Sequence, residues 1–333
     1  MTKATEATTN GAPETVRSKR RSWFWNSVRL LVTVALIVLL LRVVDMRSVG
    51  RQMLQLDLGL LAVAVLLALA DRALMIGKWY PLLRVQVPSC SLAAAARTYL
   101  ASGFASIFLP SLGVDVLRGV ALGRGHKAVP EVGASIFAER LLGMLGGGVL
   151  CLIALVVAVR ASIDVSLITP WALISFMGSL AAITVPFVLW SFPVLWERFP
   201  PLKLFSAIPL VRRFGKAYFF YRQHLRMVAV VGFLSTLEQL FPIVGLWIIA
   251  RALGAPIGFE MLIVAAPLTL FAARLPFSLW GLGVTEGAFV YLLGLFGVAP
   301  AEAVALSLAG RVVELAALAP GAFLWADLVR SHK

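Results

Sequence analysis

Charge is what this sequence has least of: Asp, Glu, Lys and Arg make up 14% of it, well short of the roughly 25% of a soluble globular domain. Cysteine is rarer still. There are two, and Cys151 lies inside an apolar run, which excludes a disulfide framework and a Cys-rich metal site. The three histidines, His126, His224 and His332, are scattered without metal-ligand spacing. A GxxxxGK[ST] phosphate loop, an HExxH zinc motif and an Asp-x-Asp pair for a metal-bound sugar nucleotide are all missing. Gly281-Leu282-Gly283 is too short and too apolar in setting for a dinucleotide fingerprint. No cofactor, no metal and no catalytic constellation is therefore expected.

Apolar residues fill the space, at 60% of the chain, with a mean hydropathy of +0.93. Residues 141–159 and 167–190 are uncharged, and the second run alone is enough to cross about 30 Å of hydrocarbon at about 1.5 Å per residue. This predicts an all-α polytopic membrane protein of about 8 to 10 membrane helices. The net charge of +14 comes from Lys and Arg in connectors between apolar runs, without the aromatic interleaving of a nucleic-acid face. Anionic lipid headgroups are the expected counterpart, and nucleic acid is not.

Connector charge sets the topology, because cytoplasmic loops collect Lys and Arg. Residues 1–25 read as a disordered, basic cytoplasmic N-terminus, with Arg17, Lys19, Arg20 and Arg21 ahead of a retained first span. Spans over 28–44 and 56–76 go out and back, to a connector holding Lys78 and Arg84. Short elements over 91–109 and 115–127 follow, then a long span over 131–159. After a span reaching Trp190, the basic loop 191–226 is cytoplasmic; a span over 227–250 and elements near 261–275, 286–296 and 302–329 complete the chain. Both termini are expected inside, in a bacterial-type inner membrane. The same order of elements occurs in 26–160 and in 161–330, starting inside in one and outside in the other, which predicts an inverted repeat of two spans plus a broken-helix or re-entrant unit.

The two copies share a motif: Leu-Pro, a Gly-containing break, a carboxylate, and an Arg 25 residues beyond it. In the first the residues are Leu109, Pro110, Gly113, Asp115 and Arg140; in the second they are Leu275, Pro276, Gly281, Gly283, Glu286 and Arg311. Pro110 and Pro276 interrupt the backbone ladder, and the glycines permit the turn. Short helices are then expected to open near Asp115 and near Thr285, the latter as an N-cap, with each carboxylate in a first turn. Ionised groups at bilayer depth are expensive, so the duplication points to a central site. Asp115 and Glu286 are expected to hold Arg140 and Arg311 until an anionic headgroup competes, a task suited to the planar, permanently charged guanidinium. An ion pair that only fixes helix packing is the alternative. Glu139, Glu238, Arg274 and Glu314 are supporting charges, Asp71 and Arg72 snorkel at a span end, and Gly143, Gly146, Gly147 and Gly148 form a small-residue packing face.

At these residues the chain resembles the lysylphosphatidylglycerol synthase transmembrane region, a flippase-like family of integral membrane proteins. The likeness rests on LPSLGVDVLRGVAL with SIFAERLLG, and on LPFSLWGLGVTEGAFVYLLGLFGV with LAGRVVELAALAPG, and extends over about 91–326. Where family members often show Gly-Gly-Asp after Leu-Pro, this chain has Gly113-Val114-Asp115. The resemblance implies a lipid-handling unit: in larger fused members this region translocates aminoacylated phosphatidylglycerol, and relatives are associated with hopanoid, glycolipid or polyprenyl-linked pathways. Those fused members carry a soluble aminoacyl-transferase domain after the membrane part. No such domain is present in these 333 residues, so lipid aminoacylation is not expected of them.

The expected function is a lipid flippase or lipid-binding transporter, with the headgroup near Asp115, Arg140, Glu286 and Arg311 and the two arginines converging in one cavity. Two other readings compete. One is a membrane-embedded transferase for a lipid-linked substrate, with Glu139, Glu238 or Glu286 as base. The other is an accessory scaffold whose 191–226 loop recruits a partner, such as a lipid-synthesis protein or a second copy of the chain.

Overall fold

The computed structural model describes residues 30–109, 111–163, 166, 168–191, 209–274 and 281–330, and among these residues every regular element is a helix. In chain order they are α1 (Leu30–Val43), α2 (Met46–Leu54), α3 (Leu58–Gln86), α4 (Leu92–Ala105), α5 (Ser111–Gly125), α6 (Val129–Arg160) and α7 (Ile168–Ser191). There follow α8 (Pro209–Phe220), α9 (Leu225–Glu238), α10 (Leu240–Ala252), α11 (Phe259–Arg274), α12 (Val284–Gly294) and α13 (Pro300–Arg330). A 3₁₀ turn, Tyr221–His224, joins α8 to α9.

Local chemistry explains the starts. Asp57 accepts the N–H groups of Gly59 and Leu60 at 2.8 and 3.1 Å, and Ser91 accepts that of Ala94 at 3.2 Å, satisfying donors that α3 and α4 leave open. Pro130 sits in the first turn of α6, where a missing N–H costs nothing. At 29 and 32 residues, α3 and α6 are roughly 44 and 48 Å long and exceed the hydrocarbon thickness. By contrast α4, α5, α11 and α12, at 14, 15, 16 and 11 residues, fall short of it. Large apolar side chains such as Leu31, Leu66, Phe233 and Phe323 face outward, as lipid contact allows and water does not. With four segments long and apolar enough to cross a bilayer among the described residues, this is a multi-pass membrane protein.

Long, short, short, long is the order α3–α6, and it recurs as the 211–252 run followed by α11, α12 and α13. Packing between the two sets is reciprocal: α4 lies against α13, and α11 lies against α6. α3 touches both α6 and α13 and also packs on α9 and α10. The largest apolar core joins these helices through fully buried Ile243, Leu262, Leu293 and Leu306.

Several elements differ from the sequence expectation. α3 does not end at Ile76 but runs ten residues further, to Gln86, so Lys78 is in a helix and not in a connector. The span expected over 227–250 is present within the 211–252 run, and its helical pattern is interrupted only at Gln239, where Pro242 has no N–H for the carbonyl of Glu238. Part of the basic loop is ordered helix: α8 sets the rings of Phe214 and Tyr218 edge-to-face with Phe137 of α6, and Arg213 pairs with Glu131 at 2.9 Å. Residues 1–29 and 192–208, on which the disordered N-terminus and the rest of that loop were placed, lie outside the described residues.

Candidate functional site

Each of the two duplicated carboxylates meets the arginine 25 residues beyond it. On the α5/α6 hairpin, Arg140 makes a two-point contact with Asp115, Nε to Oδ2 at 2.6 Å and Nη2 to Oδ1 at 3.0 Å. On the α12/α13 hairpin, Arg311 Nε donates to Glu286 Oε1 at 2.7 Å. The spacing has a simple origin. A short helix, a tight connection and a return up the long helix bring residues 25 apart back to the same level.

The helix openings differ between the copies. Gly281 and Gly283 have φ of 69° and 81°, a region open to glycine and strained for other residues, and a Cβ on Gly283 would also collide with Leu36 of α1. Gly283, not Thr285, is the N-cap of α12; Thr285 instead donates its hydroxyl to the Gly281 carbonyl at 3.0 Å. Glu286 reaches back to accept the Gly283 N–H at 2.7 Å, so one carboxylate caps the helix and holds the arginine together. In the first copy α5 opens at Ser111, which places Gly113 within the helix and Asp115 in its second turn, not its first. With an Ala-like backbone sufficient there, the glycine turn is not used. Pro110, Leu275 and Pro276 lie outside the described residues, as does the side chain of Arg274, the last residue of α11.

Around the first pair the structure assembles a ladder of alternating sign. Asp115 also faces Arg118 at 3.6 Å, Arg118 pairs with Glu139 at 3.0 Å, Glu139 faces Lys78 at 3.9 Å, and Lys78 pairs with Glu238 at 2.7 Å. Three cations and three carboxylates alternate across α3, α5, α6 and α9, and their formal charge sums to zero. Lys78, Arg118, Glu139 and Glu238 are all buried. Removing any one of them would strand a neighbour, at a cost of several kcal/mol for an uncompensated buried charge. Further partners fix the ladder: the Arg118 guanidinium lies 4.5 Å from the ring centre of Trp79 and 4.9 Å from that of Tyr99, while Ser235 accepts from Lys78 at 3.3 Å and Gln239 donates to Glu238 at 3.3 Å. The open end is Arg140, whose side chain is 44% exposed against 13% for Arg311.

Among the supporting charges, Glu139 and Glu238 belong to this ladder. Glu314 is partly buried on α13 and lies within electrostatic reach of Arg72 on α3. Arg72 does not extend to water as a snorkelling group would: it turns toward Met75 Sδ at 3.5 Å, and its Nε and Asp71 Oδ1 are buried without hydrogen-bond partners. In the glycine-rich segment of α6, Gly146 lies against the Ser235–Thr236 backbone of α9, whereas a Cβ at Gly143 would meet nothing.

Sequence reasoning missed Lys78, Arg118, Ser235 and Gln239. Arg118 had a signal, three residues after Asp115 and hence on its helix face. Lys78 had none, since its partner Glu238 is 160 residues away.

No curated protein and no solved structure matches the chain. The family model described as the lysylphosphatidylglycerol synthase TM region matches residues 26–321, nearly its whole length, and the paired acid–arginine hairpins fall within that stretch. The chain belongs to the lysylphosphatidylglycerol synthase TM region family.

Proposed function

We propose that the protein moves a lipid with an anionic or lipid-linked headgroup between the leaflets of a bacterial-type inner membrane, using the two acid–arginine hairpins as a pair of related gates. The observation that carries this reading is the duplication itself: Asp115–Arg140 and Glu286–Arg311 join at the same spacing, each where a short helix turns into a long one. Membrane helices interrupted near the midplane in two repeats are the usual setting of an alternating-access site. In this reading 26–160 and 161–330 are inverted copies, both termini are cytoplasmic, and the reciprocal packing of α4 on α13 and α11 on α6 supports the relation.

The chemistry follows from competition. A phosphate or carboxylate headgroup offers a guanidinium the same planar two-point partner that Asp115 offers Arg140. An entering headgroup displaces the carboxylate at the more exposed Arg140 and is released when the carboxylate returns. Glu286 is tied additionally to Gly283 and to the Ser307 hydroxyl at 3.2 Å, so the second gate opens with a change in the α12 start.

The test is scrambling of fluorescent phospholipid in vesicles reconstituted with wild type, Arg140→Ala or Arg311→Ala. Movement is expected to fall in both variants. Wild-type rates in folded samples of both would refute the gates, a lipid product of altered mass would establish the transferase, and unchanged rates with a soluble protein bound to the 191–226 segment would establish the scaffold.

A further inference from the structure

A cavity of ≈ 470 Å³ lies between α3 and the start of α9, away from the Arg140 end of the charge ladder. Its walls divide by chemistry. At the 3₁₀ turn and the first residues of α9 it is lined by Gln223, His224 and Arg226, and at its back by Lys78, whose side chain is only 1% exposed. Along α9 it is lined by Met227, Val230, Val231 and Leu234, residues spaced by three, four and seven and therefore on one helical face. The cavity thus has a cationic, hydrogen-bonding head and an apolar trough running toward the bilayer interior. His224 Nε2 is buried there without a hydrogen-bond partner, its ring held 5.0 Å from that of Phe220. A buried polar nitrogen without a partner is rare, and because His224 also lines the cleft a turn of its ring would meet an acceptor held there.

We infer that this cleft is a binding site for an anionic phospholipid, distinct from the two arginine gates, with the phosphate between His224 and Arg226 and one acyl chain along Met227, Val230 and Leu234. The head favours a phosphate through charge and donors, and the trough accommodates an acyl chain that a free anion lacks. Pro81 lines the α3 side of the cleft and leaves the Gly77 carbonyl without its helical N–H partner. The occupant's negative charge competes with Glu238 for Lys78, so occupancy of the cleft is transmitted to the far end of the charge ladder.

The full chain, held in phosphatidylcholine nanodiscs, is irradiated with a trace of phosphatidylglycerol bearing a photoreactive acyl chain, and labelled peptides are mapped. Labelling is expected within residues 227–234. It is expected to fall about tenfold in the His224→Ala/Arg226→Ala double variant, the scale of one lost charge-assisted contact, and by a similar factor in Val230→Trp, which fills the trough. All three positions border the cavity, and Arg226 and Val230 are exposed, so folding is retained. Excess soluble glycerol phosphate is expected to leave the label unchanged. Labelling elsewhere, equal labelling by the phosphatidylcholine counterpart, no loss in either variant, or competition by glycerol phosphate would each overturn the assignment. None of these outcomes depends on the scrambling result for Arg140 and Arg311.

Discussion

Replacing Glu286 with Gln keeps the size of the side chain and removes its charge, and the structure fixes what that does. Three donors converge on this carboxylate: Arg311 and Ser307 on Oε1, and the Gly283 N–H on Oε2. An amide has one acceptor oxygen and one donor NH₂, so in either orientation the NH₂ faces a donor. The hydroxyl of Ser307 can rotate away, whereas the Gly283 N–H cannot, since it belongs to a glycine held at φ 81°. Stranding one member of a buried pair costs about 3–5 kcal/mol, and with Arg311 13% exposed the lower end applies, about 3 kcal/mol. Asp115→Asn is the internal comparison. Arg140 is 44% exposed and rehydrates when released, so about 1 kcal/mol is expected there, close to the exposed-pair range. At roughly 2–4 °C per kcal/mol, Glu286→Gln is expected to lower the melting temperature of the purified protein by roughly 6–12 °C and Asp115→Asn by roughly 2–4 °C. Thermal unfolding in detergent followed by intrinsic tryptophan fluorescence reads both. An equal or larger drop in Asp115→Asn, or no drop in Glu286→Gln, would refute the reasoning that burial and the cap set the strength of the second pair.

Two further changes probe the frame around the site. Lys78→Met strands Glu238 and Glu139 in the interior and is expected to cost about 3–5 kcal/mol, with part of the loss recovered when Glu238→Gln is added; the same thermal assay checks both, and identical losses in the single and double variants would show that the two charges are not coupled. Gly146→Ala places a Cβ 2.8 Å from the Ser235 carbonyl oxygen and 2.9 Å from Thr236 Cα, contacts that backbone must move to relieve, so a loss of about 1–3 kcal/mol is expected, while Gly143→Ala meets nothing within 4 Å and is expected to be neutral or stabilising by up to about 1 kcal/mol.

The elements that were legible in the sequence are those governed by local chemistry. Ser91 and the Ala-rich run after it announce α4 to within a few residues, and the apolar stretch behind Pro130 gives α6 almost whole. The duplicated spacing from acid to arginine was readable because it is a property of a hairpin, and hairpins are local. Lys78 was misread for the opposite reason. A lysine flanked by Trp79 and Tyr80 looks like the end of a span, and only a carboxylate from a distant helix makes its burial tolerable. Glycine was ambiguous in the same way: Gly283 needs its positive φ and its approach to Leu36, while Gly113 has neither requirement and continues a helix. The break in the 227–252 stretch had a readable cause in Pro242, but the apolar composition on both sides hid it.

Because α4 leans on α13 and α11 on α6, neither half of the polypeptide can complete its own interior during synthesis. The fourth helix leaves the ribosome some two hundred residues before the partner that covers it, so it waits in the lipid phase or beside a chaperone with small side chains uncovered. A carbonyl of Leu100 and the Cα of Gly321 meet so closely that no Cβ fits between them, which makes this late docking intolerant of any larger residue at Gly321. Biogenesis of this protein is therefore expected to be limited by the arrival of α13, and truncations before it to be cleared by proteolysis instead of accumulating as a stable half.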